Sequence, residues 1–218
     1  MKKILSIIRK FFKLEKVVDP IVDEVDYSSN LKSFSGNSLS DSNILVIHND
    51  CVDEALYASL ISNENAYCAI VKVSGEVSID ELVSAGNKLL GPFTHIINII
   101  ELNEYNTFMD AQDLFNQQDS FSSLFRLLQT ETEYLVKINQ YATITTVFKS
   151  NSSIDSAVVA QCLELLIDGL SPLLANHNLI CNGIVADGDV PSEDVYRATL
   201  FLCGKYGQIL TGEILRMG

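Results

Sequence analysis

The sequence predicts an α/β fold: a doubly wound, mostly parallel six-stranded sheet with helices on both faces, preceded by an N-terminal amphipathic helix. Three observations carry this expectation. From residue 44 onward, short apolar runs alternate with segments of helical periodicity, the pattern of βαβ units. The runs are apolar throughout, as in strands buried on both faces. The 218 residues, 47% of them hydrophobic, suffice for one such domain and an appendage.

Each element has its own signal. ILVIH (44–48) is a short buried-type strand. Residues 52–62 suit a helix, and CAIVKV (68–73) is a second strand. In SIDELVSAGNKLL (78–90), Ser78 and Glu81 form a capping box into an amphipathic helix. Gly91-Pro92 stops that helix. HIINII (95–100) is the third strand, followed by a short helix over 106–117 and a longer one over 119–138. ATITTVF (142–148) is β-branched and strand-forming. A long helix over 154–175 is interrupted near its end by Gly169 and Pro172. LICNGIV (179–185) is the fifth strand, Pro191 opens a helix to about 203, and QILTGEILR (208–216) closes the sheet. Right-handed crossovers join such strands in parallel.

Ahead of this body, residues 1–18 are expected to form a basic amphipathic helix. On a helical wheel Ile4, Ile8, Phe11 and Phe12, with Leu5, Ile7, Leu14 and Val18, fill one arc. Lys2, Lys3, Arg9, Lys10, Lys13 and Lys16 fill the other, and Val17 is the one apolar residue among them. Bulky aliphatics and two Phe opposite a basic arc suit a helix lying in an anionic membrane interface or in a partner's acidic groove. Each basic residue near an anionic leaflet contributes about 1 kcal/mol. The same helix could also pack on the protein's own body. Residues 19–43 are acidic, then rich in Ser, Asn and Gly, and are expected to be a linker between this helix and a domain over 44–218.

Charge and cysteine usage exclude several functions. The net charge is −13, and residues 1–16 hold six basic side chains and one acidic, so the rest carries −18. An acidic body of that kind does not bind nucleic acid non-specifically. Five dispersed cysteines without a CxxC pair fit buried free thiols in a reducing cytoplasm. His48, His95 and His177 have no metal-ligand spacing, so no zinc site is expected. No unbroken run of 18 apolar residues predicts a transmembrane span, and the interleaved N-terminal charges do not make a secretory signal.

Three segments, in their order and spacing, resemble the short-chain dehydrogenase/reductases. GPFTHIINII is similar to that family's strand ending in an Asn pair, with Asn98 on its asparagine. The 154–175 helix and LICNGIVADG resemble the catalytic helix and the strand after it, with Asn182 on its asparagine. EDVYRATLFLCGKYGQILTGEILRMG resembles the family's ending, with Thr211 and Gly212 on its Thr-Gly. The resemblance implies a Rossmann-like sheet, a nicotinamide cofactor on a glycine-rich turn after the first strand, and a Tyr-x-x-x-Lys proton donor.

The residues for that chemistry are missing. The turn after the first strand, HNDCVDEA (48–55), has no glycine and carries Asp50, Asp53 and Glu54. A carboxylate about 4 Å from a phosphate costs roughly 4 kcal/mol at an effective dielectric near 20. Acidic residues at a helix N-terminus satisfy its dipole instead. On the best alignment the Tyr and Lys fall at Ala160 and Glu164, and the assisting serine near residues 150–153. Alanine cannot donate a proton, and a glutamate raises a nearby phenol's pKa. A family member has seven strands; the unit missing here would follow the first helix. The loop that covers the substrate is only DGDVPS. Asp110 and Asp113, and Tyr134 and Lys137, have helical spacings that fit exposed surface.

The expected function is therefore a non-catalytic, reductase-like partner-binding or scaffold module without cofactor or metal. It is expected in the cytoplasm, held at the inner membrane surface by its first helix. The partner is a protein or a second copy, with Leu163, Leu166, Ile167 and Leu170 on the 154–175 helix as candidate dimer residues that could equally pack on the sheet. The alternatives are an NAD(P)-dependent oxidoreductase with an atypical site, and an unrelated interaction domain on a flavodoxin-like sheet, expected to differ in strand order.

Overall fold

The computed structural model describes residues 39–48, 51–72, 87, 90–101, 118–138, 141–150, 154–205 and 207–218. The basic helix expected over 1–18, most of the linker expected over 19–43 and the short helix expected over 106–117 lie outside them. Of the helix expected over 78–90, residues 87 and 90 are described, both helical.

Six strands form one parallel sheet: β1 (Asn43–His48), β2 (Tyr67–Lys72), β3 (His95–Glu101), β4 (Ala142–Ser150), β5 (Leu179–Asp187) and β6 (Ile214–Met217). Their order is β2-β1-β3-β4-β5-β6. Four helices are described: α1 (Glu54–Asn63), α2 (Gln118–Ile138), α3 (Ile154–Leu174) and α4 (Ser192–Cys203). The β strands are short and apolar because both faces are covered. Leu45, Ile47, Ile96, Ile144 and Phe148 pack with α2 and α3. Ile44, Val46, Ile97, Ile99 and Val147 pack with α1 and α4. The result is a three-layer α/β/α sandwich with a core on each side of the sheet.

Strand order does not by itself separate two of the expectations. A Rossmann sheet has the order 3-2-1-4-5-6; removing its outermost strand leaves 2-1-3-4-5, which is also the flavodoxin order. The sixth strand, running parallel beside β5, extends that order.

Several boundaries differ from expectation for local reasons. The domain begins before residue 44: Leu39 is buried in the core shared with α1 and α4, and Asp41 N–H donates to Asn65 O at 3.0 Å. The last strand is shorter than 208–216, because residues 207–209 make a 3-10 turn and Gly212 takes φ +81°. α3 runs through Gly169 and Pro172 without a break. Residues 156–177 are also long and apolar enough to cross a membrane by length and composition, with mean hydropathy 1.6. Half of that stretch is buried in the fold, against the sheet.

Candidate functional site

In an open parallel sheet, ligands bind beyond the carboxyl ends of the strands where the order reverses. That point lies between β1 and β3. The turn after β1 stands there, as expected for a dinucleotide site. Asn49 and Asp50 lie outside the described residues. Residues 51–53 cross to the neighbouring strands and to α4.

Several groups in this crossing are bonded internally. Cys51 Sγ donates to Ile99 O at 3.4 Å. Lys149 Nζ, at the end of β4, donates to Cys51 O at 3.1 Å and to Ser192 Oγ at 3.4 Å. The Asp53 N–H donates to Tyr196 Oη at 2.9 Å. Tyr196 stacks on Tyr57, with ring centroids 4.4 Å apart, and both rings are fully buried. The Tyr57 hydroxyl is bonded to Thr199 Oγ1, and burial pushes the Tyr57 phenol well above its ordinary range. An aromatic pair thus clamps α1 onto α4 directly beneath the turn.

The two described acidic residues of the turn are engaged within the chain. Asp53 is the N-cap of α1: its Oδ1 accepts from Leu56 N–H at 3.0 Å, and its carbonyl accepts from Tyr57 N–H at 3.0 Å. Glu54 is paired with buried His48 Nε2 at 3.1 Å. A phosphate-binding turn needs free backbone N–H groups at the helix N-terminus. Here the N–H groups of Asp53, Leu56 and Tyr57 already have partners within the chain.

The positions on which the resemblance sets a proton donor are used structurally. Ala160 is buried in the core beneath α3. Glu164 is ion-paired with Arg216 of β6. Ser150 Oγ donates to Asp187 Oδ1 at 2.8 Å, and Ser152 and Ser153 lie outside the described residues. The asparagines of the resemblance are buried staples. Asn98 Nδ2 donates to Glu131 Oε2 at 3.0 Å. Asn182 Nδ2 donates to Leu210 O at 3.0 Å, and its Oδ1 accepts from Glu213 N–H at 3.1 Å. Together they fix the chain on both sides of Thr211 and Gly212. Thr211 Oγ1 is 2.8 Å from Ser171 Oγ.

Leu163, Leu166, Ile167 and Leu170 are buried in the core under α3. Of the two roles open to them, packing on the sheet is the one the structure displays. Among the described residues, the large apolar side chains that α3 exposes are Val158 and Leu165. Tyr134 is half-buried with its ring 6.4 Å from that of Phe93. Lys137 is exposed; Asp110 and Asp113 lie outside the described residues. So do Lys2, Lys3, Ile4, Ile8, Arg9, Lys10, Phe11, Phe12, Lys13 and Lys16. All five cysteines are free; Cys181 and Cys203 are buried, whereas Cys51, Cys68 and Cys162 are half-buried. Among the described residues no group of three His, Cys, Asp or Glu side chains gathers to hold a metal.

Sequence reasoning did not single out Glu131, Lys149 or the Tyr57–Tyr196 pair. Glu131 had a signal: it lies four residues from both Leu127 and Leu135, on the apolar face of α2. The tyrosines had none, since their contact joins positions 139 residues apart in the chain.

Comparison with known proteins places the fold. No family model and no curated protein matches the sequence. Solved structures do match. A short-chain dehydrogenase/reductase from Serratia marcescens superposes with a TM-score of 0.69 at 14% identity, over 83% of this chain and 97% of that one. A short-chain dehydrogenase from Mycobacterium smegmatis gives 0.70 at 12% identity, over 95% and 98%. A protein from Burkholderia xenovorans described as a short-chain dehydrogenase/reductase gives 0.68 at 12%, over 84% and 96%. The chain therefore has the Rossmann-like fold of the short-chain dehydrogenase/reductases. At such identities the likeness concerns the fold, and activity has to be argued from the site.

Proposed function

We propose that this protein is a non-catalytic, reductase-like module that works by binding a protein partner, with its basic N-terminal helix holding it at an anionic membrane surface on the cytoplasmic side. The observation that carries this reading is the turn after β1. Among its described residues, Asp53 caps α1 and Glu54 pairs with His48, and the N–H groups of Asp53 and Leu56 are bonded to Tyr196 and to Asp53 itself. A dinucleotide would have to displace these bonds and bring its phosphates against two carboxylates. Ala160 and Glu164 support the same reading, since neither can replace a tyrosine activated by a lysine.

Thermal shift with NADH and NADPH tests it. At 1 mM ligand, a dissociation constant of ~100 µM would stabilise the fold by about 1.4 kcal/mol. No shift is expected, and a shift of that size would reinstate the oxidoreductase. The membrane role is checked by flotation with anionic phosphatidylserine-containing vesicles. The full chain should float and a chain starting at residue 39 should not; equal partitioning removes the anchor from the proposal.

A further inference from the structure

The core beneath α2 holds a polar pair that the proposed function does not use. Glu131 of α2 and Asn98 of β3 are both fully buried. Asn98 Nδ2 donates to Glu131 Oε2 at 3.0 Å. The other atoms of the two side chains, Glu131 Oε1 and Asn98 Oδ1, have no hydrogen-bond partner among the described residues. Both are acceptors when the carboxyl is ionised, so a carboxylate would leave two buried acceptors and a charge unanswered. A carboxylic acid has one O–H, and one O–H is what the pair lacks.

Among the described residues no cation answers the charge. The sheet face below α2 presents Ile96, Asn98 and Ile100 from β3, Ile144, Thr146 and Phe148 from β4, and Cys181 and Val185 from β5. α3 turns Ala160, Leu163 and Ile167 inward. Cys181 is the other titratable group there, and burial together with Glu131 pushes its thiol up to about 12. On α2 itself Glu133 and Lys137 are exposed and Tyr134 is half-buried.

We propose that Glu131 is held as a neutral acid in a reciprocal, two-hydrogen-bond pair with the Asn98 amide, and that this pair is a proton-dependent latch of α2 onto β3. The Glu131 O–H donates to Asn98 Oδ1 while the Asn98 amide donates back to Glu131 Oε2. Loss of the proton breaks one of the two bonds and leaves a charge in an apolar layer. Burial supports the protonated state, raising the Glu131 carboxyl from 4.5 to about 8. A folded-state pKa above the unfolded one means that the latch's stabilisation is complete below 4.5 and is lost as pH rises through about 8.

Glu131→Gln separates this account from an ionised, water-bridged carboxylate. A glutamine amide can make the same two bonds with Asn98 at every pH. The test is urea denaturation of the full chain from pH 4 to 10. Relative to the variant, the wild-type unfolding constant should rise about tenfold per pH unit between 4.5 and about 8. Parallel profiles would overturn the latch. Carbon-13 NMR titration of glutamate-labelled wild-type protein gives an answer even if the variant does not fold. One glutamate carboxyl should titrate near 8; all of them titrating in the ordinary range would overturn the proposal.

Discussion

Tyr196→Phe is the sharpest probe of the closed turn, because it removes one oxygen and leaves the ring. The hydroxyl accepts the Asp53 N–H at 2.9 Å. The ring, stacked 4.4 Å from Tyr57, keeps its packing in phenylalanine, so no cavity term enters. What remains is a backbone N–H that loses its acceptor, together with the loss of the hydroxyl's bond to Ser192. A buried donor left unpaired costs about 1–3 kcal/mol. The Asp53 bond is only partly buried, which places the cost near the lower end, about 1–2 kcal/mol. With m of roughly 2 kcal/mol per molar urea, the midpoint falls by about 0.5–1 M at unchanged m. A fall below ~0.2 M would mean that water serves the Asp53 N–H equally well, and that α4 does not hold the turn shut.

Two further predictions concern the core and its pH response. Ile167→Ala should cost about 2–5 kcal/mol through cavity formation under α3, whereas Leu165→Ala should leave monomer stability within about 0.5 kcal/mol; sedimentation equilibrium of the Leu165 variant then reports whether the exposed face of α3 joins two copies. Buried His95 has its pKa lowered to about 4 by desolvation, so between pH 6.5 and 4 the unfolded chain takes up a proton that the fold refuses. Stability should fall over that window by on the order of 3 kcal/mol and level off below it. His95→Gln should flatten the profile, and parallel curves would contradict the assignment.

Much of the fold was legible because burial on both faces writes itself as apolar runs. ILVIH, HIINII and LICNGIV became β1, β3 and β5 within a residue or two, and the 154–175 helix ended one residue early. The last strand was overestimated because QILTGEILR is apolar across a turn that Gly212 makes at positive φ. Leu39 was assigned to a linker because a single apolar residue among Ser, Asn and Gly carries no period. At the site, the absence of glycine and the capping role of Asp53 were readable locally. The partners that close the turn, Tyr196 and Lys149, are 143 and 98 residues away in sequence from Asp53 and Cys51. No local pattern encodes such contacts. The four leucine and isoleucine positions on α3 were ambiguous because a helix that packs on a sheet and one that packs on a second helix carry similar apolar stripes.

Amide hydrogen exchange at Asp53, Leu56 and Tyr57 tests most directly whether the turn after β1 has already consumed its donors. These three amides should be protected in the protein alone and unchanged by millimolar NADPH. Fast exchange in the free protein, slowed by added nucleotide, would contradict the account and restore the turn as a phosphate site.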